Sequence, residues 1–256
     1  MGATLTDMDL APDLTPKEAG GVHLLVDGKA LDAGILVAFA DRRGGVSAAP
    51  FDTLNLATRV GDDRHAVLTN RARAAAAAGF DPDKLALAKQ VHRADVLEVD
   101  AGQSGVLGEA DALIARVPGP VLAILTADCT PVVLAGPSGV AIVHAGWRGL
   151  VAGVIERTAE RLGEVVAAWV GPAIHACCYE VGPEVVDAFE RADLPVAGAS
   201  SVDPGRAATA ALHRLGVQRV AASTECTSCN ANYFSFRRDG LTGRQGAFVA
   251  LVGDRM

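Results

Sequence analysis

The stretch over residues 126–149, TADCTPVVLAGPSGVAIVHAGWRG, constrains this chain more than any other. Residues 132–135 and 140–143 are rich in β-branched side chains, and Gly136-Pro137-Ser138-Gly139 separates them. That pattern reads as a strand, a tight turn and a returning strand. A hairpin brings its outer ends together, so Cys129 and His144 are expected to be neighbours in space although they lie 15 positions apart. Upstream, His92 stands in the polar run Lys89-Gln90-Val91-His92-Arg93-Ala94-Asp95. One thiolate and two imidazoles form the ligand set of an open catalytic zinc, with a fourth position left for water or substrate.

Plainer readings exist for each residue alone. A single cysteine is usually a buried apolar thiol, and a single histidine is usually a satisfied core or turn residue. The joint placement of Cys129 and His144 at strand mouths beside turn residues favours the metal reading. Nothing local forces His92 toward the other two. Asp128 is the candidate general base, or the acceptor that orients a ligating imidazole. Arg148, at the start of a helix expected over about 149–162, would combine a guanidinium with a helix N-terminus to cradle an anion; a solvated first-turn arginine is the alternative. Arg237-Arg238, after Tyr233-Phe234-Ser235-Phe236, offer a phosphate clamp or a pair with Asp239. Cys226-Thr227-Ser228-Cys229 has zinc-knuckle spacing, and Cys177-Cys178 supply two more sulfurs. Adjacent cysteines rarely hold one tetrahedral ion together, so the spacing argues against a four-cysteine structural site.

With 256 residues the chain has room for one large domain or two small ones. Half of its residues are hydrophobic and only 4% aromatic, which predicts a core of Val, Leu, Ile and Ala. The apolar runs 121–125 and 246–252 are too short to cross a bilayer. The N-terminal residues lack the basic and apolar regions of a signal peptide, so a soluble, cytoplasmic protein is expected. Met1-Gly2-Ala3-Thr4-Leu5-Thr6 fits the bare N-myristoylation pattern, but no polybasic second anchor follows, and the match is read as coincidence. Five cysteines, an odd number, do not make a secreted disulfide framework. A net charge of −7, without a basic run interleaved with aromatics, argues against a nucleic-acid partner. Local arginines must then attract any phosphate. Monomer and homodimer both stay open.

Residues 1–20, rich in Asp, Thr and Pro, read as a flexible tail before a single catalytic domain over 21–256. Strands are expected at Ile35–Ala40, 85–88, 96–99, Ala112–Ala115, Val121–Thr126, 165–170, 217–222, 234–237 and 247–252. Helices are expected over 63–78, capped by Asp62 and stopped by Gly79, and over Pro183–Arg191 and 207–215. Strands come in runs and do not alternate strictly with helices, so the class is α+β. No HExxH, GxGxxG, Walker loop or GxSxG elbow occurs. The lack of a His-x-His pair weakens a multicopper oxidase reading.

Several blocks together resemble the YfiH family, once labelled multicopper polyphenol oxidase or laccase-domain proteins. They are Arg42-Arg43-Gly44-Gly45-Val46-Ser47, Leu54-Asn55-Leu56, Gly61-Asp62-Asp63, Asn70-Arg71, Gln90-Val91-His92, Thr126-Ala127-Asp128-Cys129 and His144-Ala145-Gly146-Trp147-Arg148-Gly149. Gly171-Pro172-Ala173-Ile174, Cys178-Tyr179-Glu180-Val181-Gly182, Cys226-Thr227 and Phe234-Ser235-Phe236-Arg237-Arg238-Asp239 complete the set, which runs from about 38 to 251. The resemblance implies a layered α/β/β/α-type sandwich with mixed sheets. It implies an enzyme that phosphorolyses adenosine, inosine, guanosine and methylthioadenosine and deaminates adenosine, with zinc on His92, Cys129 and His144. Relatives of this kind are also linked to removal of wrongly incorporated serine from a muramyl precursor. Asp128, Cys129 and His144 are the catalytic candidates. Arg42, Asn55, Arg148 and Arg237 are the candidates for holding phosphate and substrate. Where relatives usually carry Gly-Pro after Gly-Pro-Ala-Ile, this chain has His175-Ala176, so His175 is expected to enter or shape the pocket. Three rivals stand beside the purine enzyme. They are a copper-dependent polyphenol oxidase, a cysteine hydrolase with Cys129 as nucleophile and His144 as base, and a non-catalytic zinc module lacking a visible fourth ligand.

Overall fold

In the computed structural model, residues 10–253 are described. The myristoylation pattern, within 1–9, lies outside the described residues. The central hairpin pairs Thr130–Gly136 with Gly139–Ala145, in a register that sets Ala145 opposite Thr130 and His144 opposite Pro131. Both strands are buried along their whole length. Successive side chains point to opposite faces of a strand. Val132, Leu134, Ala141 and Val143 therefore enter one core, while Val133, Ala135, Val140 and Ile142 enter another. A strand that is apolar on both faces has to be covered on both.

The hairpin lies at the centre of a six-stranded sheet ordered Val220–Ala222, Ala167–Val170, Thr130–Gly136, Gly139–Ala145, Ala112–Ala115, Val96–Glu98. A seven-stranded sheet packs against it, ordered Thr15–Ala19, Val22–Val26, Ile35–Ala40, Gln245–Leu251, Val121–Thr126, Leu85–Lys89, Gly105–Glu109. Each sheet mixes parallel and antiparallel pairs. Ile35, Val37 and Phe39 face the inter-sheet core with Val133, Ile142 and Trp169. Leu36, Ala38 and Ala40 face outward, where Ala74, Ala77 and Ala78 of helix Arg64–Ala78 cover them. Helices Val154–Leu162 and Pro204–Arg214, with Phe189 of Pro183–Arg191, cover the far face of the six-stranded sheet. The result is an α/β/β/α sandwich of the α+β class, as the sequence led one to expect.

Several local expectations need correction. Residues 15–19 are not tail but an exposed edge strand, paired with Val22–Val26, and Leu10 is already buried in the core. Its polar, solvated side chains hide a strand whose backbone pairs on one edge only. Asp63, not Asp62, caps the helix Arg64–Ala78 by accepting from the Ala66 N–H at 2.8 Å. The helix expected over 149–162 is two helices, Trp147–Val151 and Val154–Leu162, broken at Gly153, whose φ of +74° is left-handed. The helix expected over 207–215 starts earlier, at Pro204, with Asp203 as cap; an Asp followed by Pro at the first helical position is the start signal. The aromatic run at 234–237 is not a strand: Ser235 caps a short helix, Phe236–Asp239.

Candidate active site

His92 follows Leu85–Lys89 of the larger sheet. Cys129 sits in the crossover from Val121–Thr126 to Thr130–Gly136, where the chain passes between sheets, and His144 is the last residue but one of Gly139–Ala145. One ligand atom from each of the three lies within 4.8 Å of the others. Cys129 Sγ is 3.8 Å from His92 Nε2, and the two imidazoles meet edge-on with ring centroids 4.8 Å apart. The hairpin thus joins Cys129 and His144 as expected, and His92, which no local feature directed there, completes the trio. A Cβ on Gly146 would lie 3.0 Å from His92 Cδ2 and 3.2 Å from Cys129 Sγ, so a larger residue here would push on two members of the trio. His92 and Asp128 both hold left-handed backbone, with φ of +59° and +93°. Such conformations persist where surrounding contacts over-determine them.

The acceptor that orients His144 is Asp111, not Asp128. Asp111 is fully buried, and its Oδ1 lies 2.8 Å from His144 Nδ1. Its carboxylate also accepts from the backbone N–H groups of Val91, His92 and Arg93, and its carbonyl accepts from the His144 N–H at 2.7 Å. One side chain thereby fixes two members of the trio. With Nδ1 committed, His144 turns Nε2 to the cluster, the arrangement in which a carboxylate-backed histidine binds a metal. The donor set of one thiolate and two imidazoles fits a zinc-type ion. Asp128 instead accepts from the Thr227 hydroxyl and the Arg237 N–H, each at 2.7 Å.

Burial alone would raise the Cys129 thiol, but the charge of His144 and hydrogen bonds from His144 and His92 outweigh it and bring it down to about 6. Burial would lower His144, yet the Cys129 thiolate and Asp111 hold its pKa up at about 9. Without a metal these opposed shifts favour a thiolate beside an imidazolium near neutral pH.

The trio stands where two cavities meet. The larger, about 450 Å³, is lined by His92, Cys129 and His144 together with Arg59, Arg71 and Arg244. The smaller, about 290 Å³, is lined by His92, Asp128, Cys129, Arg148, Tyr179 and Arg237. Phe236, 60% exposed, borders both. Of the anticipated phosphate ligands, Arg148 and Arg237 reach the smaller cavity, lying over Trp147 at 4.2 Å and Tyr179 at 4.9 Å. The cradle expected at Arg148 is not built, because its helix, Trp147–Val151, is a single turn. Arg42 and Asn55 line neither cavity. Arg42 Nε donates to the Asp52 carbonyl at 2.6 Å, and its guanidinium pairs with the Asp52 carboxylate and lies over Phe234. Asn55 is fully buried, donating to Ala57 and Asp62 and accepting from the N–H groups of Ala57 and Arg244. His175 pairs with Asp203 at 3.1 Å and borders a separate cavity. The residues that sequence reasoning passed over are Asp111, Arg71 and Arg244. Arg71 was in view only as part of a family block.

The four remaining cysteines also come together. Cys177, Cys178, Cys226 and Cys229 place their sulfurs within 4.8 Å of one another, against the expectation drawn from the adjacent pair. The turn at 176–178 folds both neighbouring side chains to one side, which sequence spacing does not reveal.

The profile of the family described as multi-copper polyphenol oxidoreductase laccase matches residues 36–252. A protein of Streptomyces coelicolor named purine nucleoside phosphorylase is 44% identical over 229 residues, 83% of this chain and 94% of that protein. The Escherichia coli protein named purine nucleoside phosphorylase YfiH is 39% identical, over 86% of this chain and 95% of its own. Among solved structures, YlmD from Geobacillus stearothermophilus superposes with a TM-score of 0.84 at 33% identity, covering 94% of this chain and all of that one. The trio at the sheet junction thus sits in a chain that belongs to the YfiH family of laccase-like proteins.

Proposed function

We propose that this chain is a zinc-dependent purine nucleoside phosphorylase acting on adenosine, inosine, guanosine and methylthioadenosine in the cytoplasm, with adenosine deaminase activity at the same centre. One observation carries the reading: the soft-ligand trio opens onto a cavity that holds two half-buried arginines with no carboxylate partner among the described residues. Arg71 commits Nε to the Leu56 carbonyl and Arg244 commits Nη1 to the carbonyls of Thr242 and Gly243. Burial lowers both from the ordinary arginine value, though a guanidinium stays charged in proteins. Desolvated cations of this kind favour an anion, and their remaining N–H donors suit phosphate. The cavity volume of about 450 Å³ falls within the usual range for small-ligand sites. The exposed ring of Phe236 offers a purine an apolar surface at the cavity mouth. The Streptomyces and Escherichia relatives, named purine nucleoside phosphorylases, support the same assignment.

When held by His92, Cys129 and His144, zinc supplies Lewis acidity at the junction of the cavities. Asp111 keeps His144 in one tautomer. Arg71 and Arg244 bind phosphate, and the cavity wall excludes competing water. In deamination Asp128 takes up and returns the proton, its carboxylate oriented by Thr227 and the Arg237 N–H. The lowered Cys129 thiol favours one second reading, a hydrolase editing muramyl precursors with Cys129 as nucleophile and His144 as base.

The test incubates protein of measured metal content with adenosine or inosine, with and without phosphate, and separates the products. Free base that appears only with phosphate supports phosphorolysis, and inosine from adenosine supports deamination. Copper in place of zinc would assign the metal differently and call for a phenol-oxidation assay. Zinc-loaded protein that converts no nucleoside would overturn the proposal, and a chelator-resistant acyl adduct on Cys129 would install the hydrolase in its place.

A further inference from the structure

Cys177, Cys178, Cys226 and Cys229 lie outside the trio and take no part in the chemistry above. All four thiols are free, and their sulfurs stand within 4.8 Å of one another. Cys229 Sγ is 3.4 Å from Cys177 Sγ and 3.2 Å from Cys178 Sγ. A tetrahedron with metal–sulfur bonds of about 2.3 Å has sulfur–sulfur edges of about 3.8 Å, so the four atoms already bracket that size. Clusters of several irons interpose more atoms and need thiolates set wider apart. One disulfide would use two sulfurs and strand two; here one sulfur has two partners at nearly equal distance.

The backbone is arranged for thiolates. The N–H groups of His175, Ser228 and Cys229 point at Cys226 Sγ, and the His175 contact measures 3.5 Å. Two of those donors come from the Cys226-Thr227-Ser228-Cys229 turn itself, the way a CxxC knuckle neutralises the charge on its first sulfur. Such contacts favour negative charge on that sulfur, as ligation requires. Arg238 donates to the carbonyls of Thr227 and Ser228 and sets a positive charge beside the turn.

We propose that these four cysteines form a second metal site, for one tetrahedral zinc-type cation, which pins the loop that brings Tyr179 to the smaller cavity to the loop that holds Asp128 from behind. One loop, over 175–180, carries Tyr179 and the Glu180 carbonyl to which Arg237 Nη1 donates at 2.7 Å. The other carries Thr227, whose hydroxyl holds Asp128. Among the described residues, β pairing between these stretches is limited to one isolated bridge, of Cys226 with Ala173 just before the first loop. The ion has four protein ligands and no open position, so its role is structural.

The test counts metal. Purified chain, dialysed against metal-free buffer, is expected to hold two zinc ions. His92→Ala/Cys129→Ala protein keeps one, and replacing its zinc by cobalt gives the thiolate-to-metal charge-transfer bands of a sulfur-rich tetrahedral site. Adding Cys177→Ser and Cys229→Ser abolishes those bands. Should that variant not fold, thiol titration of the native His92→Ala/Cys129→Ala protein serves: the four thiols resist reagent with zinc bound and all react once chelator removes it. Full thiol reactivity before chelation, a disulfide among the four, or no metal retained would overturn the proposal. Iron in zinc's place would overturn the choice of ion. The count is independent of any activity, so it stands or falls apart from the phosphorylase reading.

Discussion

Asp111 is buried completely, and its carboxylate accepts from three consecutive backbone N–H groups as well as facing His144 Nδ1. Hydrogen bonds outweigh the burial that would otherwise raise its pKa, and the carboxyl stays below the usual range. Asp111→Asn keeps the shape but replaces the anion, leaving His144 weakly oriented. Zinc affinity should fall about 10–100-fold, read by competition with a fluorescent chelator in a variant that still folds. Undiminished affinity would show that His144 needs no such partner. The residue was invisible to sequence reasoning because its contact with His144 spans 33 positions. Asp128, adjacent to Cys129, drew the attention instead. Cys129 carries a second prediction. Its thiol is lowered from 9.0 to about 6, so in metal-free protein the thiolate fraction rises as pH increases through 6 and is nearly complete at pH 8. Alkylation of Cys129, followed peptide by peptide, should therefore show a midpoint near 6; a midpoint near 9 would mean that His144 is not charged beside it.

At the level of elements, two glycines do different jobs. Gly153 breaks what reads as one helix, and its φ of +74° is the reason for the break. A Cβ there costs about 1–2 kcal/mol without approaching the trio. Gly146, with φ of −70°, has no such backbone demand, but its Cβ would press on His92 and Cys129. Gly153→Ala should lower the urea midpoint and leave zinc affinity unchanged. Gly146→Ala should do the reverse, weakening zinc while the urea midpoint moves little. Equal effects on both properties in both variants would refute this division. Strong signals made the middle strands legible: Val121–Thr126 and Ala112–Ala115 appear where their apolar runs placed them. Weak ones failed where tertiary pairing decides, as at Thr15–Ala19, four of whose five residues are exposed.

Across the whole molecule, the trio draws one ligand from the end of a larger-sheet strand, one from the crossover between sheets and one from the smaller sheet. The α+β class was legible in strands that come in runs, and the layered sandwich only through the family resemblance, because the covering of a strand apolar on both faces is settled by distant elements. The cysteine quartet was not, since it depends on a turn at 176–178 meeting a loop some 50 residues later. An ion that ties both sheets at their rim binds the folded state alone and so stabilises it by mass action. At zinc near 100 times its dissociation constant the gain is about 2.7 kcal/mol, which for a chain of this size raises Tm by roughly 5–10 °C. The quartet would contribute its own increment, so the informative quantity is a difference. The rise in Tm on adding zinc to stripped protein should be larger in the wild type than in Cys129→Ala, by about that amount. Equal rises would mean that the trio either holds no zinc or grips it without joining the sheets, and the sheet-bridging role would be lost.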